Sequence, residues 1–375
     1  MNAEQLRMLI RDSLASQGFR TRNGRIIPPQ LDQKNQLREL HATAVQHKID
    51  RAASGIRRHE QKLLLRLASG FEVDAAHIVP KLIEVQPDSE DELLFRYVGL
   101  HWAIPVSSGY GRRLRFLVID ENNEKLIGVI GLGDPVFNLA VRDAWIGWSS
   151  EARRTNLQNV MDAFILGAVP PYSSLLCGKL IAMLVASQEV RLAFQRKYRG
   201  SRSIIRRTRA DPRLALITTM SAFGRSSVYN RLRNEGRLIF QPVGFSQGSG
   251  EFHFSNGLYG AISDYANRYC VPTAKKTRWG VGFRNRRELI RKCLQKIGLS
   301  PELLYHGVQR EVFAVPLAKN SREFLRGEHS KLLWYRDSAA DLADYFKERR
   351  LLARASWDFR YRDFDRQSYR IWPSV

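Results

Sequence analysis

Cysteine is scarce and scattered: Cys177, Cys270 and Cys293 are the three in 375 residues, and no two form a C-x-x-C pair. That spacing argues against a zinc ribbon and against a disulfide-stapled scaffold. The eight histidines include no H-E-x-x-H, so the sequence offers no metal ligand set, and no cofactor is expected. Low-complexity tracts and internal repeats are missing too. The longest apolar run, Leu175 to Ala186, is broken by Lys179 and is too short to cross a bilayer. The opening "MNAEQLRMLIRDSLASQGF" mixes charges into a helical apolar pattern, unlike a signal peptide. The expectation is a cytoplasmic protein that does not engage membranes.

Negative charge is also in deficit. Asp and Glu number 37 against 60 Lys and Arg, for a net charge of +23. A field of that sign gathers polyanions, and nucleic acid, DNA ahead of RNA, is the expected partner. The clustered carboxylates that would hold Mg²⁺ for nuclease chemistry are not evident. Asp120, Glu124 and Lys125 loosely resemble D…E-x-K but fall in the tip of a hairpin.

What is present reads as an α+β chain in three regions. Residues 1–75 are helical, 76–260 form a central mixed β-sheet domain, and 261–375 form a basic, mostly helical region. The plainest local element is "RLRFLVIDENNEKLIGVIGLG", two apolar strands, Leu114–Ile119 and Leu126–Gly131, about a polar turn. After it, "RDAWIGWSSEARRTNLQNVMDAFILGAVPPY" reads as a strand, a basic turn and a second strand, followed by one helix from about Ser174 to Tyr198. "LALITTMSA" is a strand, a short helix starts near Ser226, and "LIFQPVGFSQGSGEFHFSNGLY" is β structure punctuated by glycine.

Nine Lys or Arg lie between Arg191 and Arg213 against Asp211 alone. Arg199, Arg202, Arg206, Arg207 and Arg209 are therefore candidate phosphate contacts, as are Arg284, Arg286, Arg287 and Arg291 on a later helix. Arg153 and Arg154 sit in a polar turn, and Arg225 follows Gly224 just before a serine cap. Trp145 and Trp148 are expected to close the core. Glu251 and His253 stand two apart, as an acid/base pair on one strand would. The closing "SWDFRYRDFDRQSYRIW" interleaves Trp357, Phe359, Tyr361 and Tyr369 with arginines. It suits either base stacking or a tail docked on the body as an edge strand.

Between strand and helix, Ser173, Ser174 and Gly178 are candidate cofactor-binding residues, because a helix start with free N–H groups attracts phosphate. The order of these elements resembles the GNAT acetyltransferases over roughly residues 110–250. That resemblance implies a fourth strand leading into a pyrophosphate loop and central helix, then a fifth strand and a Y-x-x-x-G-F-like ending, here "VYNRL" and "PVGF". It would make Tyr229 a general acid. The family's loop is usually Q/R-x-x-G-x-G/A; Gly178 matches its last position, but Leu176 stands at the first glycine, where a side chain hinders close approach.

A more specific resemblance rests on "HWAIPVSSGYGRRLRFLV", "LIGVIGLGDPVFNLAVRDAWIGW", "NLQNVMDAFILGAVPPYSSLLCGKL", "TTMSAFGRSSVYNRL" and "GFSQGSGEFHF" in that order, across about residues 75–330. These segments resemble the DruA family of Druantia anti-phage systems. The resemblance implies a role in resisting bacteriophage beside partner proteins, one of them a large helicase-like component, and implies no particular chemistry. Three functions are carried forward. The first is a nucleic-acid-binding defence component that is not an enzyme. The others are an acyl-CoA-dependent transferase using the 173–178 turn and a scaffold for acidic protein partners.

Overall fold

The computed structural model describes residues 1–29, 33–106, 111–200, 211–273, 279 and 283–373, with the backbone alone at 283 and 284. The chain opens with helix α1 (Ala3–Ser16), which buries Leu6, Ile10 and Leu14 at a four-residue spacing. Its start is a capping box: Asn2 Oδ1 accepts the Gln5 N–H at 2.9 Å, and Gln5 Oε1 accepts the Asn2 N–H at 3.0 Å. Helix α2 (Lys34–Ile56) serves two cores. Leu37 and Leu40 join α1, while Ile56 joins Leu63, Leu64 and Leu67 under the sheet.

Strand β1 (Pro80–Glu84), helix α3 (Glu90–Val98) and the hairpin β2 (Arg113–Asp120) and β3 (Lys125–Gly133) follow. The hairpin lies where its alternating apolar residues place it. Leu114, Phe116 and Val118 point into one core, and Leu117 and Ile119 into the other. Asp120 is buried at the turn because its carboxylate accepts the N–H groups of Val79 and Asn122, at 3.0 and 3.2 Å, and the Tyr172 hydroxyl at 3.0 Å.

The next segment departs from expectation. Residues 140–146 form helix α4 (Ala140–Ile146), not a strand, and the basic turn is a second helix, α5 (Ser150–Asn156). Arg142 and Ile146 are buried four apart, a helical spacing hidden within a β-favouring composition. Asp143 caps α4 by accepting the Leu139 N–H at 3.1 Å, and Gly147 ends it at φ +76°. Trp145 and Trp148 pack against the core as expected. Strand β4 (Val160–Ala168) then leads through a 3₁₀ turn (Tyr172–Leu175) into helices α6 (Cys177–Leu184) and α7 (Gln188–Tyr198). The single helix expected over 174–198 is therefore interrupted at 185–187, where Ser187 is buried as the N-cap of α7.

Strand β5 (Leu216–Met220) is followed by a turn, not a helix, at Ser226, whose Oγ accepts the Val228 and Tyr229 N–H groups at 3.1 and 3.0 Å. Strand β6 (Gln241–Phe245) ends the β structure there, and Phe252–Phe254 is a 3₁₀ turn. Helices α8 (Leu258–Tyr269) and α9 (Phe283–Lys296), strand β7 (Glu311–Pro316), and helices α10 (Ser321–Arg326) and α11 (Ala339–Phe346) follow, and helical turns at Lys347–Leu351, Leu352–Ala355 and Arg366–Tyr369 lie in the tail.

The seven strands form one mixed sheet in the order β6-β7-β5-β4-β3-β2-β1. Every neighbouring pair is antiparallel except β4 and β5, which run parallel from Val160↔Leu216 to Ala163↔Thr219. Helices α6, α7 and α11 cover one face. The other face is covered by α3 towards β2 and β3 and by α4 and α10 towards β5 and β7. In α6, Cys177, Leu180, Ile181, Ala182, Met183 and Leu184 are all at most 1% exposed. Burial of each large aliphatic there contributes about 1.5–3 kcal/mol. A separate core joins α1 and the start of α2 to α8 and α9, so sequence-distant ends share one body.

The tail after α11 docks without forming an edge strand. Tyr361, Tyr369 and Trp372 are buried, and Tyr369 stacks on His101 at 3.5 Å between ring centroids. Gly70 makes this docking possible. Its N–H donates to the Phe364 carbonyl at 2.7 Å, and a Cβ on it would lie 2.2 Å from the Arg362 carbonyl oxygen and 2.3 Å from that of Tyr361. Gly70→Ala is expected to cost about 1–3 kcal/mol by overpacking. It should also speed tryptic cleavage within 354–370, and an unchanged melting temperature and digestion pattern would refute the docking.

His41, His253 and His306 are buried and His101 is half-buried, all four in their neutral form. Arg310 donates to His41 Nε2 at 3.1 Å, so Nδ1 carries the hydrogen donated to the Leu37 carbonyl at 2.7 Å. His253 Nε2 lies 2.8 Å from the Leu303 carbonyl, and His306 Nδ1 accepts the Val308 N–H at 3.1 Å. Burial pushes His41, His101 and His253 down to about 4, with Arg310 adding to the effect at His41, and His306 lower still. A folded-state value below the ordinary 6.5 means that the unfolded chain takes up the proton first. Each such group then costs about 1.4 kcal/mol per pH unit below its unfolded-state value. Asp162, pushed up by burial to about 6, works in the opposite sense, as do Asp120 and Glu251, which burial also raises, but they are three groups against four. The urea midpoint is expected to fall steeply between about pH 7 and pH 5; a flat profile there would overturn the neutral burial.

Candidate nucleic-acid interface

The candidate arginines do not meet in one place. On α5, Arg153 is 3.1 Å from Asp143, which also pairs with the fully buried Arg142 at 2.8 Å, and its guanidinium lies over Phe137 at 4.9 Å. Arg154 beside it is exposed. Arg199 is exposed at the end of α7, whereas Arg202, Arg206, Arg207 and Arg209 lie outside the described residues, as does the side chain of Arg284. On α9, Arg286 pairs with Glu251 at 2.9 Å and sits over Tyr259 at 3.9 Å. Arg287 reaches Ser249 Oγ at 3.4 Å, and Arg291 is exposed. Among the described residues, no ion pair engages Arg154, Arg199, Arg225 or Arg291.

Glu251 and His253 do not form the strand-borne pair that their spacing suggested. They fall on the 3₁₀ turn, where Glu251 faces Arg286 and His253 faces the Leu303 carbonyl. Asp162 is the titratable group that sequence reading missed. It lies opposite Thr218 across the parallel pair, and the Thr218 hydroxyl donates to it at 2.8 Å. A cavity of about 350 Å³ between the 59–66 helical turns and the start of α3 is lined by His59, Lys62, Arg66, Glu90, Glu92 and Arg96. Its charges compensate one another: Lys62 pairs with Glu90, and Arg66 lies 3.2 Å from Asp91.

The structure instead gathers cations around the first turn of α6. Ser173 is exposed, Ser174 and Gly178 are half-buried, and Leu176 takes the left-handed conformation at φ 61° to start the helix. Arg354 Nε donates to the Ser174 carbonyl at 3.1 Å. Lys179 Nζ donates to the Ser227 and Val228 carbonyls at 3.0 and 3.3 Å, bringing the loop after Arg225 against the same turn. Burial and then the neighbouring Arg350 push the Lys179 amine below its ordinary value. Nothing lies within 4 Å of where a Cβ on Gly178 would stand, so that turn is open on its glycine side.

From this turn a line of contacts runs along the tail. Arg354 pairs with Asp358 and covers the Trp357 ring at 4.1 Å, and Arg360 binds the same carboxylate at 2.7 Å. Arg362 lies 4.9 Å from the Phe359 ring centroid, and its carbonyl abuts Gly70, next to Phe71. Of the tail aromatics, Tyr361, Tyr369 and Trp372 dock, Phe364 packs against the core, and Trp357 and Phe359 stay exposed. Lys179, Arg350, Arg354 and Phe71 were not singled out from the sequence, because only tertiary contact places them together.

No group of three or more His, Cys, Asp or Glu among the described residues is placed to hold a metal ion. No helix among them is long and apolar enough to cross a membrane.

No solved structure matches the chain. The model of the family described as Druantia protein DruA matches residues 31–327. The Druantia protein DruA of Escherichia coli (strain UMEA 4076-1) is 38% identical over 359 residues, covering 96% of this chain and 89% of that protein. With the sheet, the basic helix start and these two matches in hand, the chain belongs to the DruA family of Druantia anti-phage defence proteins.

Proposed function

We propose that the chain serves its Druantia system in the cytoplasm by binding nucleic acid, DNA ahead of RNA, through guanidinium–phosphate contacts without covalent chemistry. The observation that carries this reading is the crowding of Lys179 and Arg350 at the start of α6, where Arg354, paired with Asp358, also holds the Ser174 carbonyl. Like charges held together are unfavourable alone, and a phosphate at a helix N-terminus relieves them. The exposed Arg154, Arg199, Arg225 and Arg291 add contacts of the sequence-independent kind. The DruA resemblance implies a helicase-like partner, to which a phosphate-tracking surface could deliver a strand.

A second reading draws on strand order. The fourth strand of the sheet leads into the 172–175 turn and α6, and the fifth runs parallel to it. This order supports a core related to the GNAT acetyltransferases and keeps an acyl-CoA-dependent transferase as the alternative. Leu176 at the position of the loop glycine weighs against it.

Titration of the protein with labelled single- and double-stranded DNA at rising salt tests the first reading. The logarithm of the affinity is expected to fall linearly with that of salt, with a slope of several units. Arg225→Glu and Arg350→Glu should each lower the slope by about one. Absence of binding at low salt, together with thermal stabilisation by acetyl-CoA, would replace this reading with the transferase.

A further inference from the structure

We infer that Phe71, Trp357 and Phe359 form a stacking platform for the bases of single-stranded nucleic acid; the inference rests on the nucleic-acid reading above. These rings are 82%, 62% and 50% exposed, and Phe71 and Trp357 are the two most open among the described aromatics. The three rings are borne on segments that meet where Gly70 abuts the 361–362 carbonyls, and a group of open rings is less ordinary than scattered single ones. Each is held in place by its neighbours. Phe71 stands between Gly70, whose N–H binds the Phe364 carbonyl, and Glu72, which pairs with Arg366 at 2.6 Å. Trp357 is backed by Arg354, itself fixed by Asp358 and the Ser174 carbonyl. Phe359 is backed by Arg362.

The occupant follows from how charge and ring alternate. In the tail the order is Arg354, Trp357, Asp358, Phe359, Arg360, Arg362, where Asp358 ties Arg354 to Arg360 and the Arg360 side chain stays 73% exposed. A lipid surface or an apolar protein face would favour contiguous aliphatic area, which guanidinium groups interrupt. A single strand alternates an aromatic face with a phosphate, and stacking on rings beside arginines is how such strands are held without regard to sequence. A duplex keeps its base faces stacked internally and has none to offer. The platform adjoins the cations at α6, so one strand can place phosphates there and bases on the tail.

The test compares wild-type protein with the triple variant Phe71→Ala, Trp357→Ala, Phe359→Ala, using single-stranded oligo(dT) and a duplex. Single-strand affinity is expected to fall about ten-fold or more, with duplex affinity, salt slope and melting temperature unchanged. A triple variant that binds oligo(dT) like a wild type that itself binds well overturns the platform and leaves the wider reading standing. Equal losses for both DNA forms overturn it too, and a wild type that binds neither form overturns both. As a second measurement, oligo(dT) should quench part of the tryptophan emission. Trp357→Phe should abolish that part while affinity stays within about two-fold, because phenylalanine still stacks. Quenching that survives in Trp357→Phe counts against the platform.

Discussion

The parallel pairing of β4 with β5 is the constraint on which the rest of the molecule depends. Parallel neighbours cannot be joined by a hairpin, so the chain must leave the sheet at Ala168 and return at Leu216. The crossover has to cover a sheet face on its way, which is why α6 is apolar nearly all round and α7 buries Val190, Ala193 and Phe194. It also sets where a helix start meets the carboxyl end of a strand. Open sheets bind their ligands outside such strand ends. One topological demand thus builds the largest core and positions Lys179.

The candidate interface is composite. Residues 70–72, 172–179 and 350–362 come from three stretches of chain, and none of them positions the others without the tail in place. Buried carboxylates organise that docking. Glu60, 5% exposed, accepts the Tyr97 hydroxyl at 3.0 Å and the Ile371 N–H at 2.7 Å. Glu72 holds Arg366, and Asp358 holds Arg354 and Arg360 together. Leaving Glu60 or Asp358 buried without its partners would be costly; Arg354 and Arg366 are largely covered by this docking, and Arg360 is at once structural and exposed.

Much of the sheet was legible because its strands announce themselves. The β2–β3 hairpin combines two apolar runs with a polar turn, and β4 and β5 are short apolar runs bounded by turn residues. Helix α4 was not legible as a helix, because tryptophan, valine and isoleucine favour strands while the deciding feature is burial of Arg142 four residues before Ile146. A charged side chain on the buried face defeats any reading of apolar period. At the interface, the basic side chains were visible as residue types but their partners were not. Arg153 and Arg286 read like free cations, yet each faces an acid. Phe71 carried no local signal, since its role depends on a glycine neighbour that admits a segment almost three hundred residues away.

The strand order has a consequence for how the protein is made. β7, near residue 311, lies between β6 and β5, which precede it in the chain. During synthesis, β5 therefore emerges with an unpaired backbone edge, and β6 has no neighbour at all until β7 arrives. The ribosome must add roughly a quarter of the chain beyond β5 before that edge closes. Over that interval the nascent protein offers an open template for pairing with other strands. Helices α8 and α9, translated within this gap, can meet α1 and α2 and bury a separate core first. They hold both sides of the opening on one body until the last strand enters it.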